Sequence, residues 1–297
     1  MVSFVFRTII VLIALINTNA YLQDYQQLMV AYDKGQQSYG TLFIFLGEIY
    51  RGFNLDYFYV HLTYLIIMAC CLAILTKNLA FLVLLIILVG EILNEQTRFF
   101  TGVFLAIVIL IHSKKLKAFS ISAFLIHPAA FVLSFMGYLG NKIVVKHLTP
   151  AWFAILGFIC FILSEAIRGV VTFIGAKLGY GYAGTIYVEP LSLSGKAFLL
   201  VVLCLEFYKF KHEKELNFVV ENFLSRTFLL MTILFSGFAI VSGRLLLIWS
   251  ILMVSTSCMP KFFSDRKVKP NYNLVIFNAL YIILTILAVR SLKFFSG

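Results

Sequence analysis

Charge is what this chain has least of. Only 12% of its 297 residues are charged and 62% are hydrophobic, at a mean hydropathy of +0.98. That leaves too little polar surface for a soluble globule of this length. There is no Asp-x-Asp pair and no Walker loop to hold a metal-bound nucleotide, and the His and carboxylate spacings make no zinc site. A cytosolic nucleotide-sugar transferase ordinarily needs a soluble α/β domain, which is missing too. No metal and no cofactor are implied. The five cysteines (Cys70, Cys71, Cys160, Cys204, Cys258) lie in apolar stretches without metal-type spacing. They read as small buried hydrophobes and imply no disulfide framework. The apolar runs also lack the period-2 alternation of barrel strands, which excludes a closed β-barrel.

What is present is a series of apolar runs of about 16–21 residues, the length a helix needs to cross a bilayer. Candidate spans are 4–20, 57–76, 79–94, 99–113, 151–168, 196–209, 226–242, 244–259 and 272–291. The fold class expected is all-α, a polytopic membrane helix bundle of about 9–11 spans. One integral membrane domain is expected over 1–297. The first run, with Arg7 before it and Thr18-Asn19-Ala20 after it, has the layout of a signal peptide. With so many later spans, an uncleaved first span is the expectation.

A further apolar stretch, 118–140, is interrupted by His127-Pro128. Proline removes a helix hydrogen bond and disfavours helical geometry in the residue before it. Lys114, Lys115 and Lys117 precede the stretch and Lys142 and Lys146 follow it. Both flanks prefer the cytoplasm, so the stretch is expected to be a re-entrant hairpin. That topology places Lys77, Lys209, Lys211, Lys214, Arg226, Lys261, Arg266, Lys267 and Lys269 inside as orientation signals. It turns Arg51, Arg98, Arg168, Arg244 and Arg290 outward, against the usual rule. Two outer loops, 21–56 and 169–195, are long enough to fold on the membrane, and 40–52 reads as an interfacial helix. The net charge of +11 is spread over many short loops, so membrane orientation explains it better than nucleic acid does.

A charged side chain at membrane depth costs about 2.5–3.5 kcal/mol even on permissive scales, so each needs a partner or a ligand. Glu95 and Arg98 are three apart, as are Glu165 and Arg168, a spacing at which helical neighbours can neutralise each other. Arg244 has no acid within one turn and follows Gly243, read here as a break between two short spans. Arginine's planar fork of donors suits phosphate, so Arg98, Arg244 and Arg168 are candidate pyrophosphate ligands. His127, beside a backbone break at membrane depth, is the candidate general base. Asp24, opening the first outer loop, is either catalytic or a solvated capping residue. His112 reads as interfacial, and His61, His147 and His212 carry no pattern.

At these residues the chain resembles a known group. Asp24-Tyr25 after the first span, Thr97-Arg98 opening a helix that ends in Lys114-Lys115, Leu-Ile-His-Pro at 125–128 and a late Gly243-Arg244 resemble the EpsG/Wzy family. These are bacterial O-antigen and exopolysaccharide polymerases. The resemblance implies a GT-C-like glycosyltransferase of the bacterial inner membrane, with its active site toward the periplasm. Its partners would be undecaprenyl-pyrophosphate-linked oligosaccharides, the lipid bilayer and a chain-length regulator protein, and not nucleic acid. Its site residues would be Asp24, Arg98, His127 and Arg244. The bottom-up reading meets this chemistry independently, because preorganised arginines can stabilise a departing pyrophosphate without a metal. Two other classes stay open. A membrane acyltransferase acting on surface glycans can also use an intramembrane histidine, and a lipid-linked saccharide transporter or flippase would show internal inverted repeats.

Overall fold

Every described segment that forms regular structure is helical. The computed structural model describes residues 2–18, 23–35, 41–76, 79–112, 125–127, 130, 148–177, 189–211, 223–256 and 272–291. Among them are α1 (Val2–Ile16), α2 (Gln23–Asp33), α3 (Thr41–Gly52), α4 (Tyr57–Leu75), α5 (Leu79–Glu95) and α6 (Thr97–His112). Then come α7 (Pro150–Lys177), α8 (Leu193–Lys211), α9 (Phe223–Leu234), α10 (Ala239–Thr256) and α11 (Tyr272–Ser291). Helices follow from the composition, since a helix satisfies its backbone hydrogen bonds within one apolar segment. The all-α expectation holds.

Two helices, Tyr57–Leu75 and Pro150–Ile174, are long and apolar enough to cross a membrane, and several shorter apolar helices accompany them. In the second, only 11% of the apolar window is buried by protein. Trp152, Ile155, Phe158, Ile162 and Phe173 are left exposed along it. Soluble monomers rarely show a continuous apolar face of that kind. It points to association with a membrane.

The chain divides into two compact units, Met1–Lys142 and Ile143–Gly297. In the first, α4 packs against α1, α2, α3 and α6, and α5 lies against α1 and α6. The Asp56 carboxylate caps α4 by accepting from the Phe58 amide at 3.1 Å, satisfying a donor that has no partner within the helix. Gly90 lets α1 approach α5, because a Cβ there would stand 2.5 Å from Thr18 Cγ2. The unit has two distinct ends. At one, Arg7 Nη1 donates to the carbonyl of Thr76 at 3.2 Å. At the other, the end of α1 meets the start of α4 and the α5–α6 junction.

In the second unit α9 and α10 form an antiparallel hairpin, with α7 and α8 against α9 and with α11 against α10. Near one end Phe153 packs on Phe210 at 6.0 Å. At the other, the turn after α9 presses Gly237 against α7, where a Cβ would lie 2.7 Å from the Ser164 carbonyl and 2.9 Å from Arg168 Cβ.

Three boundaries differ from those expected. The helix begun at 150 runs on through Lys177, so 169–177 is helix and not outer loop. The break expected at Gly243 falls instead at 235–238, which places Gly243 and Arg244 inside α10. There the Ala239 amide donates to the Glu189 carbonyl at 2.8 Å and the Leu191 amide to that of Ser236 at 3.0 Å. The segment before α8 is thus hydrogen-bonded to the turn between α9 and α10 and to the start of α10. Within 21–56, residues 23–33 form α2 where only loop was expected, while the expected 40–52 helix appears as α3. The lysines at 114–117, 142 and 146 and most of the 118–140 hairpin lie outside the described residues.

Candidate functional site

An aromatic-walled end of the first unit gathers the sequence candidates found there. Tyr32, Phe43, Tyr57, Tyr64 and Ile126 share one buried cluster fed by α2, α3, α4 and the segment before His127. The Arg98 guanidinium lies over the Phe43 ring at 5.2 Å, a geometry in which the ring quadrupole attracts the cation. Phe99, the next residue, meets the His127 ring edge-on at 5.5 Å. His127 is half-buried in non-helical backbone, and its carbonyl accepts from the Ala130 amide at 2.9 Å. The backbone break read from His127-Pro128 is therefore present at His127. Asp24 lies in the first turn of α2, where its backbone alone is described. Its neighbour Tyr25 packs on Tyr57 at 5.0 Å and edge-on to His61 at 4.9 Å. The structure thus brings Arg98, His127 and the start of α2 to one end.

Arg98 reaches this position because α5 and α6 are separate helices. The break is at Gln96, and the Thr97 hydroxyl donates to the Asn94 carbonyl across it. Glu95 ends α5 and Arg98 begins α6; the Glu95 side chain lies outside the described residues, and with it the expected pairing of the two.

A second layer holds the junction. The His61 ring bonds to Asn94 Oδ1 through Nε2 at 2.7 Å. Asn94 Nδ2 donates to the carbonyls of Thr18 at 2.9 Å and Leu15 at 3.3 Å, and to Thr18 Oγ1 at 3.2 Å. Because the amide nitrogen faces two carbonyls, its oxygen must be the group facing His61, so Nε2 is the ring's donor. His61 is a built part of this junction, although no sequence pattern marked it. On α2 and α3, Arg51 Nη1 donates to the Tyr32 carbonyl at 2.6 Å and the Tyr32 hydroxyl to that of Leu55 at 2.6 Å. Burial raises the Tyr32 phenol above its ordinary pKa, and the Arg51 charge partly offsets this. Arg51 is therefore a brace for the cap of the unit.

In the second unit, Arg168 Nε donates to Glu165 Oε2 at 2.9 Å, and the other Glu165 oxygen is held by Lys196 of α8. The pairing alternative for Glu165 and Arg168 is what the geometry shows. Both side chains are more than a third exposed, where such a pair contributes about 0–1 kcal/mol. Arg244 is half-buried about 8 Å along α10 from its first residue. It shares the end of this unit that carries Gly237 and Arg168.

The other end holds a cluster that sequence reasoning missed. Glu206, Lys209 and Arg226 are only 2%, 3% and 8% exposed. Lys209 Nζ is 3.8 Å from Glu206 Oε1, which also accepts from the Tyr281 hydroxyl of α11. Lys209 lies over the Tyr281 ring at 5.1 Å and Arg226 over Phe210 at 3.6 Å. Lys209 and Arg226 were expected as inward-facing orientation signals; they are buried among helices, not displayed in loops. Lys196 and Lys209 are 13 residues apart on α8, roughly 20 Å along its axis. The second unit's arginine candidates and this cluster are therefore at opposite ends of it.

No group of His, Cys, Asp and Glu fit to hold a metal ion occurs among the described residues. No family model, no curated protein and no solved structure matches the chain.

Proposed function

We propose that this chain is a multi-pass membrane glycosyltransferase of the EpsG/Wzy polymerase type. It would move a growing saccharide from undecaprenyl pyrophosphate onto a lipid-linked repeat unit at the periplasmic face. The observation that carries this reading is the meeting of Arg98, His127 and the start of α2 at one aromatic-walled end of the first unit. In the reaction, the anomeric carbon–oxygen bond to pyrophosphate breaks as the acceptor hydroxyl forms the new glycosidic bond. His127 takes the hydroxyl proton, and Arg98 stabilises the charge that collects on the departing pyrophosphate. A single displacement inverts the anomeric carbon. An aromatic face such as that of Tyr25, only partly buried, suits the apolar face of a sugar ring. In the second unit, Arg244 and Arg168 are proposed as phosphate ligands, with Arg168 the weaker because Glu165 already engages it.

Deletion of the gene should leave surface glycan as single repeat units, and the intact gene should restore polymer. Normal polymer in the deletion strain would sink this function. With Arg98→Lys or Arg244→Lys, single units should accumulate at normal protein abundance, because a point charge lacks the bidentate fork. Full-length polymer from either variant removes that arginine from the site.

A further inference from the structure

Tyr64 is fully buried on α4, in the same cluster as the Phe43 ring that Arg98 covers. Its backbone is tied to α6, since the Thr101 hydroxyl donates to the Tyr64 carbonyl at 3.1 Å. Thr101 stands three residues beyond Arg98, so the face of α6 near Arg98 is the one laid on Tyr64. The Tyr64 hydroxyl is buried with no hydrogen-bond partner. A second buried atom at this junction is in the same condition: Gln96 Oε1, two residues before Arg98.

A buried hydroxyl without a partner is a net cost to folding, and an apolar isostere is ordinarily neutral or better. Phenylalanine is that isostere, and it would suit the cluster. A tyrosine kept beside an arginine is explained when a ligand completes it. We propose that the Tyr64 hydroxyl is a second donor to the phosphate group that Arg98 grips. The anion takes one hydrogen bond from the phenol and others from the guanidinium, while Gln96 Oε1 offers an acceptor to an adjoining hydroxyl. This deepens the polymerase reading and rests on it for the identity of the phosphate, a polyprenyl pyrophosphate.

Tyr64→Phe removes only the hydroxyl and gives opposite signs for the two roles it can have. The test compares purified full-length wild type, Tyr64→Phe and Arg98→Lys in detergent. Thermal unfolding is followed with and without undecaprenyl pyrophosphate, and with undecaprenyl monophosphate as control. Tyr64→Phe alone should unfold at the wild-type temperature or above it, while its affinity for the pyrophosphate falls at least tenfold, the scale of a hydrogen bond to a charged group. Arg98→Lys should lose the stabilisation by pyrophosphate altogether. A Tyr64→Phe protein that unfolds earlier and binds pyrophosphate as tightly as wild type overturns the proposal, because the hydroxyl is then structural. Loss of binding in Arg98→Lys with full binding in Tyr64→Phe also overturns it and leaves Arg98 standing. If pyrophosphate fails to stabilise the wild type, the phosphate reading itself falls, and the assignment of Tyr64 with it.

Discussion

Replacing His127 by alanine is expected to lower polymer formation by about 10²–10⁴-fold, the usual contribution of a positioned acid–base group. Binding of the lipid-linked donor should survive, since Arg98 and the aromatic wall of the first unit remain. The expectation rests on place. His127 lies in non-helical backbone, half-buried, with its ring edge-on to the Phe99 that follows Arg98. Non-helical backbone in an apolar segment is tolerated where it is packed in protein or lines a polar cavity. The measurement is a product ladder from purified enzyme with lipid-linked repeat units, read beside donor binding. His127→Gln offers a hydrogen-bonding group without a titratable nitrogen, so it should fail like alanine. A near wild-type rate in His127→Ala would end its role as base, and Asp24, in the first turn of α2, would be next in line.

Glu206→Leu should cost the second unit about 3–5 kcal/mol, the usual result of removing one partner of a buried ion pair. Lys209, only 3% exposed, would then lose the carboxylate 3.8 Å from its ammonium, and the Tyr281 hydroxyl would lose its acceptor. Lys209 also touches Met253 Sδ at 4.0 Å, a weak acceptor that cannot replace a carboxylate. Glu206→Gln divides the loss, because it keeps an acceptor for Tyr281 and removes only the charge. Adding Lys209→Leu to Glu206→Leu should recover much of the stability, since the buried amine that lost its carboxylate is gone too. Detergent-solubilised protein titrated with denaturant checks all three. A Glu206→Leu protein as stable as wild type would show that the charge of Lys209 is satisfied without Glu206.

His127 was legible because proline acts locally: it removes a donor and constrains the residue before it. The same local character made Glu165 and Arg168 readable as a pair, since three-residue spacing on one helix sets them side by side. Glu95 and Arg98 have that spacing too, across the turn at Gln96 that joins α5 to α6. Glu206 and Lys209 also have it, three apart on α8. What spacing left out was Tyr281, 75 residues away, which makes this pair a buried cluster and not a solvated one.

Sequence alone determined the helical class, the positions of most helices and the backbone break at His127. Those depend on the length of apolar runs and on residues that cap or interrupt them, all within a few positions of one another. Tertiary structure decided which polar groups are buried and with whom. His61 meets Asn94 across 33 residues, and Asn94 meets Thr18 across 76. The Tyr64 carbonyl accepts from Thr101 of α6 across 37 residues. A lysine at a span end reads the same whether it faces water or, like Lys209, a ring and a carboxylate on neighbouring helices. Composition records how readily a segment leaves water, and only packing records what it meets there.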